Sequence, residues 1–163
     1  MKRFAAAHSL ARLPRLVARC VRSLRTKRLP SAKLSNRKRR VLLIDDESSL
    51  TRLCRLMLEQ TDSFIVQEEN VGARAVSTAR AFRPDVIFLD IRLPDKDGHV
   101  IAAELQTDPE LRGVPIVFWS GSLSCKKNVV ANSHGCWPAL PKPFSTEELT
   151  QFAHDPTYKT ARS

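Results

Sequence analysis

The sequence predicts an α/β fold: a doubly wound, five-stranded parallel sheet in the order 2-1-3-4-5, preceded by a basic N-terminal extension. Short, continuous apolar runs alternate with helix-length segments from Val41 to about Asp155, five of each. The runs are mostly β-branched or aromatic, as strands buried on both faces should be. Charge separates the two parts of the chain. Residues 1–40 hold 14 Lys or Arg and no Asp or Glu, whereas residues 41–163 hold 13 basic and 17 acidic side chains.

The strands are read, in order, as VLLI (Val41 to Ile44), FIV (Phe64 to Val66), VIFL (Val86 to Leu89), PIVFW (Pro115 to Trp119) and PAL (Pro138 to Leu140). After the first run, Leu50, Leu53, Cys54, Met57 and Leu58 form the stripe of an amphipathic helix, with Asp46, Ser48 or Ser49 as candidate caps. Val71, Ala75, Val76, Ala79 and Phe82 repeat the pattern, and Val100, Ile101 and Leu105 do so after Gly98. The stretch Ser122 to His134 occupies the slot of a fourth helix. Its Asn128, Val129, Val130 and Asn132 make poor helix material. A last short helix starts at Thr146 and is ended by Asp155-Pro156. Right-handed crossovers between parallel strands place these helices on both faces of the sheet.

A chain of 163 residues is sized for one core. No apolar run reaches the roughly 18 residues of a membrane-spanning helix. Cys20, Cys54, Cys125 and Cys136 form no C-x-x-C pair or zinc grouping, which points to reduced thiols in a cytoplasmic setting. Cys125 and Cys136 are better read as unrelated small residues than as a redox pair. The boundary between extension and domain falls near Arg40, after the linker-like Pro30 to Arg40. The expected division is 1–40, 41–155 and a tail of 156–163.

Folds of this kind bind ligands at the carboxyl ends of the strands, where strand order reverses. Strand 1 ends in Asp45-Asp46, strand 3 in Asp90, strand 4 in Ser120-Gly121 and strand 5 at Lys142. Each residue alone has an ordinary reading, as a helix cap, a turn or solvated surface. Their arrival at one rim from four strands points to chemistry instead. Two carboxylates about 4 Å apart repel by roughly 4 kcal/mol at an effective dielectric near 20, so the rim favours a hard divalent cation. Mg²⁺ binds through one or two carboxylates, waters and a phosphate. Such a rim suits phosphoryl transfer, which needs mainly positioning and charge compensation, with Asp90 as the nucleophile forming an aspartyl phosphate.

The blocks VLLIDDE, DVIFLDIRLPDKDG, PIVFWSGS and LPKPF resemble the receiver domain of two-component response regulators, of the stand-alone, chemotaxis-regulator-like kind. Spacings of 45 residues from Asp45 to Asp90, 30 to Ser120 and 22 more to Lys142 agree with it. The resemblance implies a flavodoxin-like fold and a signalling phosphoacceptor, catalysing only its own phosphorylation and dephosphorylation. Asp90 would accept the phosphoryl group from a histidine kinase or phosphotransfer protein. Asp45, Asp46, Asp90 and the main-chain carbonyl of Arg92 would hold Mg²⁺ or Mn²⁺, and Ser120 and Lys142 would contact the phosphoryl oxygens. It also implies a cis Lys142-Pro143 peptide, a turn at Gly98 where the backbone needs freedom, and lifetime-tuning positions at Arg92 and Ser122.

The sequence departs from the family pattern at Ala139, where most receivers carry Tyr or Phe three residues before the lysine. Trp137 lies on the same face but at a different depth. The usual aromatic switch is therefore expected to be absent or rerouted, which keeps open a degenerate receiver acting as a phosphorylation-independent docking module. A phosphatase of the haloacid-dehalogenase type is disfavoured, because Asp45-Asp46-Glu47 is not D-x-D and no paired Asp follows Lys142. His99, next to Gly98, is explained equally well as a catalytic base and as a helix-start surface residue.

In the extension, Arg12, Arg15, Arg19 and Arg22 fall opposite Leu10, Leu13, Val17, Cys20, Val21 and Leu24 at helical spacing. Three readings stay open: disorder, a basic amphipathic helix whose residues 8–25 contact an anionic membrane surface, and a targeting segment. Specific nucleic-acid binding is not expected, since Phe4 is the only aromatic there. The output partner is not identified by the sequence.

Overall fold

The computed structural model describes residues 37–121, 129–132 and 135–157. Six strands form one sheet in the order β2-β1-β3-β4-β6-β5. They are β1 (Arg39–Ile44), β2 (Phe64–Glu69), β3 (Val86–Asp90), β4 (Ile116–Ser120), β5 (Val129–Asn132) and β6 (Gly135–Pro141). The helices are α1 (Ser48–Glu59), α2 (Ala75–Phe82), α3 (Gly98–Thr107) and α4 (Thr146–His154). β2-β1-β3-β4-β6 are parallel, which is the expected 2-1-3-4-5 sheet with β6 as its fifth strand.

Alternation along the strands assigns the two faces. Leu42, Ile44, Ile87, Leu89 and Phe118 pack with Ala75 and Ala79 of α2 and Ile101 and Leu105 of α3. Val41, Leu43, Phe88, Val117 and Trp119 pack instead with Cys54 and Leu58 of α1 and Leu149 and Phe152 of α4. β3 and β4 are buried along their whole length, so their carboxyl ends are fixed from both sides.

The fourth helix expected over Ser122 to His134 is corrected where that stretch is described. Val129–Asn132 is β5, antiparallel to β6, with Val129 opposite Pro138 and Asn132 opposite Gly135. Adjacent β-branched residues lose rotamer freedom in a helix and fit a pleated ladder, so the local preference prevails over the alternating pattern of the fold. Ser122 and Cys125 lie outside the described residues, as do residues 1–36 with the amphipathic stripe and the proposed membrane contact at 8–25.

None of the residues expected to cap α1 does so. Glu47 occupies the N-cap position without a side-chain cap bond. α2 is preceded by a 3₁₀ turn at Gly72–Arg74 and ends at Arg83, which is left-handed with φ 50°. Asp97 caps α3 by accepting from the His99 amide, and Ser145 and Glu148 form a reciprocal capping box on α4. At the base of the sheet, Asp85 accepts from the Arg37 guanidinium at 2.6 and 2.8 Å and from the Arg40 amide at 2.8 Å. This ties the entry of β1 to the start of β3.

Candidate functional site

Asp45 follows β1 directly, Asp90 closes β3, Ser120 closes β4 and Lys142 follows β6. Because these strands are parallel, all four reach the same end of the sheet. From β1 the chain crosses to β2 on one side and later enters β3 on the other, which opens a crevice between Asp45 and Asp90.

The Lys142 ammonium bridges the two carboxylates, 2.5 Å from Asp45 Oδ2 and 3.5 Å from Asp90 Oδ1. The second oxygen of each acid accepts from the amide two residues further on. Glu47 donates to Asp45 Oδ1 at 3.0 Å, and Arg92 donates to Asp90 Oδ2 at 2.9 Å. Each carboxylate is thus oriented by its own local turn while its other oxygen faces the cation. Burial makes ionisation of Asp45 costly and raises its pKa, with the Asp90 charge adding to the effect. Hydrogen bonds from Lys142 and the Glu47 amide oppose this without reversing it.

Ser120 is buried, and its main-chain oxygen accepts from the Lys142 amide at 3.2 Å. The Lys142-Pro143 peptide is cis, as the resemblance implied. Asp46 and Arg92 are exposed beside the pair, and Arg92 forms a β-bridge with Asp97. The structure therefore draws Asp45, Asp90 and Lys142 together in direct contact. No ready-made cluster of three carboxylate, histidine or cysteine ligands exists among the described residues. A hard divalent ion needs only one or two carboxylates, since waters fill the remaining positions. The all-oxygen donor set fits such an ion, and the buried Asp45 carboxylate would be eased by its charge.

One supporting residue, Asn70, carries no motif in the sequence. The Asn70 side chain donates to the main-chain oxygen of Asp45 at 2.6 Å and to Thr51 Oγ1 at 3.2 Å, bracing the end of β1 from the end of β2. Its place one residue after β2, on the functional rim, was the available signal. Gly98 serves close packing, and not the turn freedom expected of it. A Cβ there would stand 2.1 Å from the main-chain oxygen of Asp90 and 2.9 Å from Ile91 Cα.

His99 is half-buried at the start of α3, and its ring faces inward. Its ring packs 4.9 Å from Phe118 and 6.2 Å from Trp137, and its Nδ1 is buried without a hydrogen-bond partner. Trp137 shares a core cluster with Ala139 and meets Phe118 edge-on at 5.3 Å. Ala139 itself is fully buried.

Comparison with known proteins agrees with this geometry. Residues 41–154 match the family model of the response regulator receiver domain. The cell cycle response regulator CtrA of Brucella ovis is 30% identical over 115 residues, which are 71% of this chain and 48% of CtrA. The chain thus spans about half the length of the curated relatives it matches. Among solved structures, chemotaxis protein CheY4 of Vibrio cholerae superposes with a TM-score of 0.64 at 24% identity, over 72% of this chain and 98% of that one. The receiver domain of sensor histidine kinase PA1611 from Pseudomonas aeruginosa, with a magnesium ion in its active-site cleft, gives 0.63 at 25% identity, over 77% and 99%. With that family match covering most of the chain, and a doubly wound sheet that carries acids and a lysine at its carboxyl rim, the chain belongs to the response regulator receiver domain family.

Proposed function

We propose that Asp90 is the phosphoacceptor of a two-component phosphorelay. The supporting observation is the convergence of Asp45 and Asp90 on the Lys142 ammonium at the carboxyl end of the sheet. Asp90 keeps one oxygen locked by the Arg92 amide, which leaves Oδ1 as the attacking atom. In the step, Asp90 Oδ1 forms a bond to phosphorus, and the phosphorus–nitrogen bond of a donor phosphohistidine breaks. The departing imidazole nitrogen keeps the bonding electron pair.

Asp45, Asp46, Asp90 and the Arg92 carbonyl would hold Mg²⁺, or Mn²⁺, whose charge offsets the negative charge gathering on the phosphoryl oxygens. Lys142 and Ser120 would contact those oxygens. The donor would be a sensor histidine kinase or a phosphotransfer protein, with a further protein reading the output. On this reading the chain catalyses nothing beyond its own phosphorylation and dephosphorylation. The unit carrying this activity is residues 41–155.

The test is incubation with acetyl phosphate and Mg²⁺, followed by intact-mass measurement of the parent and Asp90→Asn. The parent is expected to gain one phosphoryl group and the variant none; equal labelling of both would remove Asp90 from this role.

A second reading, docking independent of phosphorylation, is favoured by the fully buried Ala139, which leaves no large ring at that position. Partner affinity unchanged by phosphorylation, measured by calorimetry with whichever protein co-purifies, would support it.

A further inference from the structure

We propose that Trp119 is a positioning residue for Lys142, its indole face holding the ammonium in place between the two carboxylates. The inference rests on the phosphoacceptor reading above and deepens it. Lys142 Nζ lies 5.2 Å from the centroid of the Trp119 ring, inside the range of cation–π attraction. An ammonium has three donors and is strongly hydrated, so a partly buried one needs a substitute for the water it loses. Here Asp45 and Asp90 supply two directions and the ring supplies a third.

The ring is itself fixed from several sides. Trp119 is fully buried, and its Nε1–H donates to the Ile44 main-chain oxygen at 3.3 Å, reaching across β3 to the residue before Asp45. Phe144, two residues beyond Lys142, stacks on it at 5.7 Å with 15° between planes. Phe88, two residues before Asp90, meets it at 5.6 Å. One side chain thus touches the immediate neighbourhoods of Asp45, Asp90 and Lys142. A flexible four-carbon lysine stem would otherwise spread its charge over many rotamers, and confinement matters most where a charge must meet a phosphoryl group in one place.

The ring's role as an electrostatic surface is separable from its role as packing, because fluorination withdraws electron density from the face with little change of shape. Full-length protein is prepared with tryptophan, monofluorotryptophan and trifluorotryptophan. The Trp119→Phe protein, in which Trp137 alone carries the label, serves as control. Two quantities are read: the urea midpoint without phosphodonor, and the rate of phosphorylation by acetyl phosphate with Mg²⁺.

Stepwise fluorination is expected to lower the midpoint of the parent progressively and to slow phosphorylation by about threefold to tenfold overall. In Trp119→Phe and in Lys142→Met, fluorination should leave the midpoint unchanged. A parent midpoint indifferent to fluorination, or one that falls equally in Lys142→Met, would overturn the proposal. A fluorine-dependent midpoint with no labelling of Asp90 in any protein would instead overturn the phosphoacceptor reading, while leaving Trp119 as the group that holds Lys142.

Discussion

Gly98 is pressed against the main chain of Asp90: a Cβ at position 98 would stand 2.1 Å from the Asp90 carbonyl oxygen, and the Gly98 amide donates to the Ile91 oxygen at 2.9 Å. The start of α3 and the end of β3 are therefore one packed unit. The obstructing atoms are backbone, which cannot rotate aside. Gly98→Ala is expected to destabilise the fold by about 1–3 kcal/mol, the range typical of overpacking, and to slow phosphorylation of Asp90 by displacing its carboxylate. Urea denaturation checks the first effect and mass spectrometry the second. A stability equal to that of the parent would show that the helix start moves freely.

The Asp45 carboxylate is costly to the fold. Its folded pKa is raised, so the stability it contributes is full below its unfolded pKa and is lost as pH rises through the folded value. At neutral pH without metal the charged group opposes folding on balance. Asp45→Asn should then raise the melting temperature at pH 7 by an amount on the order of 2–4 °C, and the gain should shrink on acidification as the parent protonates. Calorimetry at both pH values measures it. A variant less stable than the parent at pH 7 would mean that the bond from Lys142 outweighs burial.

Asp85 has the opposite sign. Burial alone would raise its carboxyl, but hydrogen bonds from Arg37 and the Arg40 amide outweigh that and hold it below the usual range. Its stability is present above the unfolded pKa and is lost as pH falls through the folded one. Asp85→Asn is expected to cost about 1–3 kcal/mol near neutrality, and the gap to the parent should close only below about pH 4. Urea titrations across the acid range would reveal any gap that persists there.

Cys54 should be inert in the folded protein. Burial against α1's neighbours pushes its thiol up to about 11 and leaves it without solvent access. Iodoacetamide at pH 8 is expected to spare the Cys54 peptide in native protein and to modify it fully in urea, as peptide mapping would show. Modification at equal rates in both conditions would contradict the packing of α1 on the sheet.

How much of this could be read from the sequence varied with the range of the interaction. The strand ends at Asp45, Asp90, Ser120 and Lys142 were legible because short apolar runs stop abruptly at polar residues. Parallel topology then sends all the carboxyl ends one way. The stretch around Val129 and Val130 was assigned to a helix by the rhythm of the fold, although its residues already favoured a strand. Asn70 and Trp119 were not seen as parts of the site. Their partners, the Asp45 main chain and the Lys142 ammonium, are brought to them by pairing and packing between distant segments.

By itself the sequence determined the alternation of strands and helices and the identity of the rim residues, while the order of the strands is set by their pairing in the sheet. The first two depend on periodicity and on the chemistry of single side chains. The tertiary structure alone decided that Lys142 sits between two acids and over an indole face, that Asp46 stays outside that contact, and that Gly98 abuts Asp90. Those are distances of a few ångströms between groups far apart along the chain. They are set by how the two faces of the sheet are packed and leave no periodic trace in the order of residues.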